Sequence, residues 1–87
     1  MKKILIVEDD IAIAEIERDF LEIEGFNVTI ETDGLEGYKK AKEEKYDLIL
    51  LDLMLPNMNG YDICRNIRGL VDVPIIIVTA KARTSTK

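Results

Sequence analysis

Lys3-Ile4-Leu5-Ile6-Val7-Glu8-Asp9-Asp10 decides the fold of this chain. Lys3 to Val7 reads as a strand, apolar from Ile4 onward, and it stops at a run of carboxylates. A second run, Leu48-Ile49-Leu50-Leu51, stops at Asp52, and a third, Ile75-Ile76-Ile77-Val78, follows Pro74. Continuously apolar runs are what strands need when helices cover both faces of a parallel sheet. Asn27-Val28-Thr29-Ile30 alternates instead, which suits a strand nearer a sheet edge. Short strands alternating with longer segments of helical period are the signature of βαβ units. Ligands of such sheets sit beyond the carboxyl ends of the strands, so Glu8, Asp9 and Asp52 can converge despite their separation in sequence.

The segments between the strands carry helical punctuation. Ile13, Ile16, Phe20 and Ile23 recur at steps of three and four, which predicts a buried stripe opposite solvated Glu15, Glu17, Arg18 and Glu22. Gly25 is expected to end that helix. Asp33 and Glu36 stand at capping-box spacing, predicting a second helix to about Glu44. Asn59-Gly60 followed by Tyr61, Ile63, Cys64 and Ile67 marks a third. One domain spanning residues 1–87 is expected, without repeats or linkers.

Composition narrows the function. At 87 residues the chain has the length of one small domain, 47% hydrophobic and 33% charged, a globular mixture. No apolar run approaches the roughly 20 residues that span a bilayer, and the one after Met1-Lys2-Lys3 is too short for a signal-peptide core. A cytoplasmic location and no membrane contact are expected. Net charge is −5, which argues against direct nucleic-acid binding by this segment. Cys64, the single cysteine, excludes an internal disulfide and fits the apolar side of the third helix. Histidine is absent, which removes Ser/His and Cys/His catalytic pairs.

Adjacent carboxylates raise the cost of ionising one another and are stable when a cation or hydrogen-bond donors compensate. Magnesium suits Glu8, Asp9 and Asp52, since it takes a few carboxylates and retains several waters. The same residues also fit a plainer arrangement, with Asp9 or Asp10 capping the first helix and Glu8 solvated.

Ile6-Val7-Glu8-Asp9-Asp10, Leu50-Leu51-Asp52-Leu53-Met54-Leu55-Pro56-Asn57-Met58-Asn59-Gly60 and Val78-Thr79-Ala80 together resemble the three signature blocks of the response-regulator receiver domain of two-component signalling. The resemblance runs to about Ala82 and implies a flavodoxin-like α/β sheet with helices on both faces. It implies that Asp52 accepts a phosphoryl group from a histidine kinase. By the same resemblance Asp9 ligates Mg²⁺ directly, Glu8 acts through water, the Met54 carbonyl completes the protein ligands, and Thr79 is the switch hydroxyl. Met54 and Lys81, each two places beyond a signature residue, would flank the acyl phosphate and tune its hydrolysis. Asp10 falls outside the metal pair, and Asn59 stands where the family often has aspartate.

The resemblance also marks departures. A complete receiver has five βα units, and this sequence stops just past its fourth strand, so the family's fifth strand, last helices and phosphoryl-pairing lysine have no counterpart. Lys81 and Lys87 stand in no matching strand end. The chain is therefore expected to be a piece of a longer response regulator, with impaired phosphorylation and output, and not an enzyme beyond assisting its own phosphoryl chemistry. By the family's strand order, the fourth strand becomes a sheet edge, and homo-oligomers joined through it or by exchange of the C-terminal segment are expected. The rival readings are an assembly fragment without signalling and a metal-dependent phosphatase. The latter needs an aspartate two places beyond the nucleophile, where Met54 stands. No G-x-G-x-x-G follows the first strand, which removes a dinucleotide site.

Overall fold

Ile4, Leu5, Ile6 and Val7 are all buried, and this is why β1 (Lys3–Val7) occupies the inside of the sheet. The computed structural model describes residues 2–52, 55, 60–68 and 72–78. Their order is β1, α1 (Ile11–Ile23), β2 (Asn27–Glu31), α2 (Gly34–Glu43), β3 (Leu48–Asp52), α3 (Gly60–Arg68) and β4 (Ile75–Val78). The strands pair in parallel in the order β2-β1-β3-β4. Among the described residues, the alternating run at Asn27–Glu31 lies at one edge of the sheet, as its pattern predicts, and the apolar β4 lies at the other.

Two apolar layers flank this sheet. Ile4 and Ile6 point with Ala14, Leu21, Phe26, Val28, Leu48 and Leu50 into the layer beneath α1. Leu5, Val7, Ile49 and Leu51 point the other way, against Ala41 of α2 and Ile63 and Ile67 of α3. The two-residue period of a strand sends alternate side chains to opposite faces, so helices cover both.

The caps follow from local chemistry. Asp10 caps α1, its Oδ1 accepting from the amides of Ala12 at 3.1 Å and Ile13 at 3.4 Å. Asp33 caps α2 by accepting the Glu36 amide. At the far end of α1, the Gly25 amide donates to Glu22 and the Phe26 amide to Leu21. This is a Schellman turn, and Gly25 meets its need for a left-handed residue at φ +96°.

The expected stripe on α1 is corrected. Ile16, Phe20 and Ile23 are exposed, Phe20 by 71%, while Ala14 is the buried residue of the helix and Glu17 and Leu21 are half-buried. The helix lies on β1 and β2, and the close approach that a small Ala14 permits turns the 14-17-21 side inward. Apolar residues stand nearly all round this helix, so periodicity alone did not select that side. The fourth strand also differs from the expectation of a strand covered on both faces, since Ile76 is 51% exposed at the edge. No described helix is long and apolar enough to cross a membrane.

Candidate functional site

Strand register creates the site. Val7 pairs with Leu51 across β1 and β3, so Glu8 and Asp52, the next residue of each strand, end at one level. One carboxylate oxygen each from Glu8, Asp9 and Asp52 lies within 4.8 Å of the other two. Glu8 is 3% exposed and Asp52 2%, whereas Asp9 faces solvent, which leaves one side of the trio open to water.

Backbone donors fix the buried member. The Asp10 amide donates to Oε2 of Glu8 at 3.0 Å, and the Glu8 amide donates to the Glu31 carbonyl at 3.0 Å. Capping therefore falls to Asp10, and Glu8 is buried, not solvated. Burial pushes the Glu8 carboxyl up to about 7; the Asp10 amide opposes this, and Asp52 and Asp9, through charge and hydrogen bonds, reinforce it. Glu17, read from sequence as solvated, is half-buried on α1, and burial followed by the charge of Asp52 raises its carboxyl.

An acidic trio whose Glu8 carboxyl is raised by burial first, and further by its acidic neighbours, fits a divalent cation, which can replace the proton. The all-oxygen donor set is that of a hard ion such as Mg²⁺. Met54, Thr79 and Lys81, the other residues singled out from sequence, lie outside the described residues. Val78, which precedes Thr79, pairs in register with Asp52.

Two contributors escaped the sequence reading. The Asp10 amide left no side-chain signal. Gly37 left one: glycine inside a helix costs roughly 1 kcal/mol relative to alanine, so its presence there suggests close packing. A Cβ built at Gly37 would stand 2.7 and 2.8 Å from Cγ1 and Cγ2 of Val7, the last residue of β1.

An open parallel sheet of this order, with carboxylates gathered beyond β1 and β3, defines a flavodoxin-like α/β domain. The chain belongs to the response regulator receiver domain family, whose model matches residues 4–87. It is 55% identical over 87 residues to the response regulator ArlR of Staphylococcus saprophyticus, covering all of this chain and 40% of that protein. It is 49% identical over 79 residues to the uncharacterized transcriptional regulatory protein YclJ of Bacillus subtilis, covering 91% of this chain and 35% of that one. The chain thus spans well under half the length of these curated relatives. Among solved structures, it is similar to the receiver domain of sensor histidine kinase PA1611 from Pseudomonas aeruginosa PAO1, which has a magnesium ion coordinated in its active site cleft. The TM-score is 0.87 at 36% identity, over 97% of this chain and 71% of that one. The response regulator TrrA of Thermotoga maritima, in complex with Mg²⁺-BeF, gives a TM-score of 0.87 at 32% identity, over 99% and 77%.

Proposed function

We propose that this chain is the phosphoacceptor domain of a two-component response regulator, in which Asp52 takes a phosphoryl group from a histidine kinase. The observation that carries this reading is the convergence of Glu8, Asp9 and Asp52 within 4.8 Å across the ends of two adjacent strands. In the reaction, an Asp52 carboxylate oxygen forms the new P–O bond as the bond from phosphorus to the donor nitrogen breaks. A carboxylate is a weak nucleophile, so positioning and charge neutralisation carry the rate. The first is supplied by the end of β3, where Asp52 is buried.

Glu8, Asp9, Asp52 and the Met54 carbonyl are the proposed Mg²⁺ ligands. The ion, when bound, neutralises charge on the transferring oxygens. Thr79 is proposed as the switch hydroxyl, and Met54 and Lys81 as residues that tune hydrolysis. The role is that of a cytoplasmic signalling domain, not of an enzyme with a separate substrate, and direct nucleic-acid contact by this segment is not expected. Incubation with acetyl phosphate and Mg²⁺ tests the assignment. Mass spectrometry should find slow addition of at most one phosphoryl group, absent from Asp52→Asn; labelling that survives this substitution would refute Asp52 as acceptor.

A second reading, self-association, is favoured by one observation. Ile76 and Ile77 are exposed on β4, which lies at the sheet edge among the described residues. An apolar edge offers unpaired backbone groups to another chain. We infer that copies of this 87-residue chain associate along β4 or by exchange of the segment that follows it.

A further inference from the structure

We propose that Gly37 is a positioning residue for the acidic site, acting through Val7. The inference rests on the proposed metal-binding role of Glu8, Asp9 and Asp52 and adds to it a residue of α2. Gly34, Gly37 and Ala41 are the buried residues of that helix, so α2 approaches the sheet along its smallest side chains. At Gly37 the approach leaves no room for one further carbon. An added Cβ would stand 2.7 Å from Val7 Cγ1 and 2.8 Å from Cγ2, against about 3.5–4.0 Å for carbon atoms in ordinary contact. Something must move by up to about 1 Å.

Val7 cannot rotate out of the way cheaply. It is 1% exposed, and its β-branched side chain is stiff at χ1. Its backbone is held on both sides, in register with Glu31 of β2 and Leu51 of β3. The strain therefore falls either on the seat of α2 or on the end of β1. The next residue at that end is Glu8, whose amide bonds Glu31 and whose carboxylate is one of the trio. Mg²⁺ demands near-ideal oxygen geometry, and a displacement of this size in its ligands is one it tolerates badly. The absent Cβ at Gly37 thus sets how β1 presents Glu8 and Asp9.

The test is a double-mutant comparison of Gly37→Ala, Val7→Ala and Gly37→Ala/Val7→Ala in the full 87-residue chain. Mg²⁺ affinity is read by NMR titration of the Glu8, Asp9 and Asp52 amides, and stability by chemical denaturation in chelator. Gly37→Ala is expected to weaken Mg²⁺ binding by about tenfold, the lower end of the loss usual when the groups that orient metal ligands are altered. Val7→Ala removes both offending atoms and leaves Val7 Cβ at 3.3 Å, so the double variant should recover most of the lost affinity. A role confined to packing would change stability and leave the Mg²⁺ affinity of the folded protein alone, and that result overturns the proposal. So does a weakened affinity that Val7→Ala fails to restore. A wild-type chain with no saturable Mg²⁺ response would instead overturn the metal-binding reading, and this inference with it.

Discussion

The Asp10 amide donates to Oε2 of Glu8 at 3.0 Å while the Asp10 carboxylate caps α1, so one residue joins the first turn of the helix to the acidic site. A backbone donor aimed at a buried carboxylate favours its charged form, whereas the cap depends on the side chain alone. The two functions can therefore be separated by mutation.

Asp10→Ala should cost about 1 kcal/mol, the usual worth of an N-cap, and lower the melting temperature by roughly 4–8 °C for a domain of this size. Asp10→Asn should restore most of it. Because the amide survives both changes, Mg²⁺ affinity should move little. Thermal unfolding followed by circular dichroism, with a parallel metal titration, checks both halves. A loss of affinity in proportion to the loss of stability would show that the helix and the site are not separable.

Asp9→Ala should abolish saturable Mg²⁺ binding or weaken it by more than about tenfold, equivalent to 1.4 kcal/mol. Asp9 is the solvent-facing member of the trio and hydrogen-bonds the Glu8 carboxyl, so its removal should change stability in chelator by only about 1 kcal/mol, the usual worth of one hydrogen bond. NMR titration reads the first effect and denaturation the second. Unaltered binding in this variant would remove Asp9 from the ligand set.

The Glu8 carboxyl gives the metal-free fold a pH dependence of definite sign. Its folded value, about 7, lies above the ordinary 4.5, so the folded state holds a proton that the unfolded chain has released between those values. The associated stability is fully present below 4.5 and is lost as pH rises through 7. At 1.36 kcal/mol per unit the loss is at most about 3 kcal/mol. Glu8→Gln cannot ionise. Its stability relative to wild type, measured by denaturation in chelator at about pH 5 and about pH 8, should therefore rise with pH. A difference that stays flat would contradict the assignment. Mg²⁺ should counter the wild-type loss at the higher pH.

Ile76→Lys should shift the chain toward monomer by placing a charge on the apolar edge. Light scattering across a concentration series reads the effect, with helical circular dichroism as the control for folding. A wild-type chain that is already a monodisperse monomer at the highest concentration would sink the edge-pairing reading.

The strands were legible because their signal is local. Ile4 to Val7 needs burial on both faces and Asn27 to Ile30 on fewer, and each pattern states its own requirement. Asp10, Asp33 and Gly25 likewise declared the helix ends through side-chain or backbone chemistry within a few residues. The inward side of α1 was not legible, since isoleucine, phenylalanine and leucine stand on several sides and the decision fell to the small Ala14. The convergence of Glu8 with Asp52 could be anticipated from two strand ends, but its geometry depends on register between strands. Gly37 was overlooked because its meaning lies in Val7, a residue far from it in sequence, and no pattern within α2 names that neighbour.

The central position of β1 has a kinetic consequence. Its partners are Asn27 to Glu31 on one side and Leu48 to Leu51 on the other, so the first of these four strands to be synthesised stays unpaired on one side until β3 follows. Loop-closure entropy must be met before either parallel pairing returns any stabilisation, which makes such sheets slow to form and leaves unpaired edges exposed meanwhile. Ile4 to Val7, the most apolar stretch of this early strand, is then a hazard for the nascent chain. The charged neighbours Lys2, Lys3, Glu8, Asp9 and Asp10 bracket it on both sides, so the carboxylates assigned to ion binding in the native state also serve as gatekeepers against aggregation before that state exists.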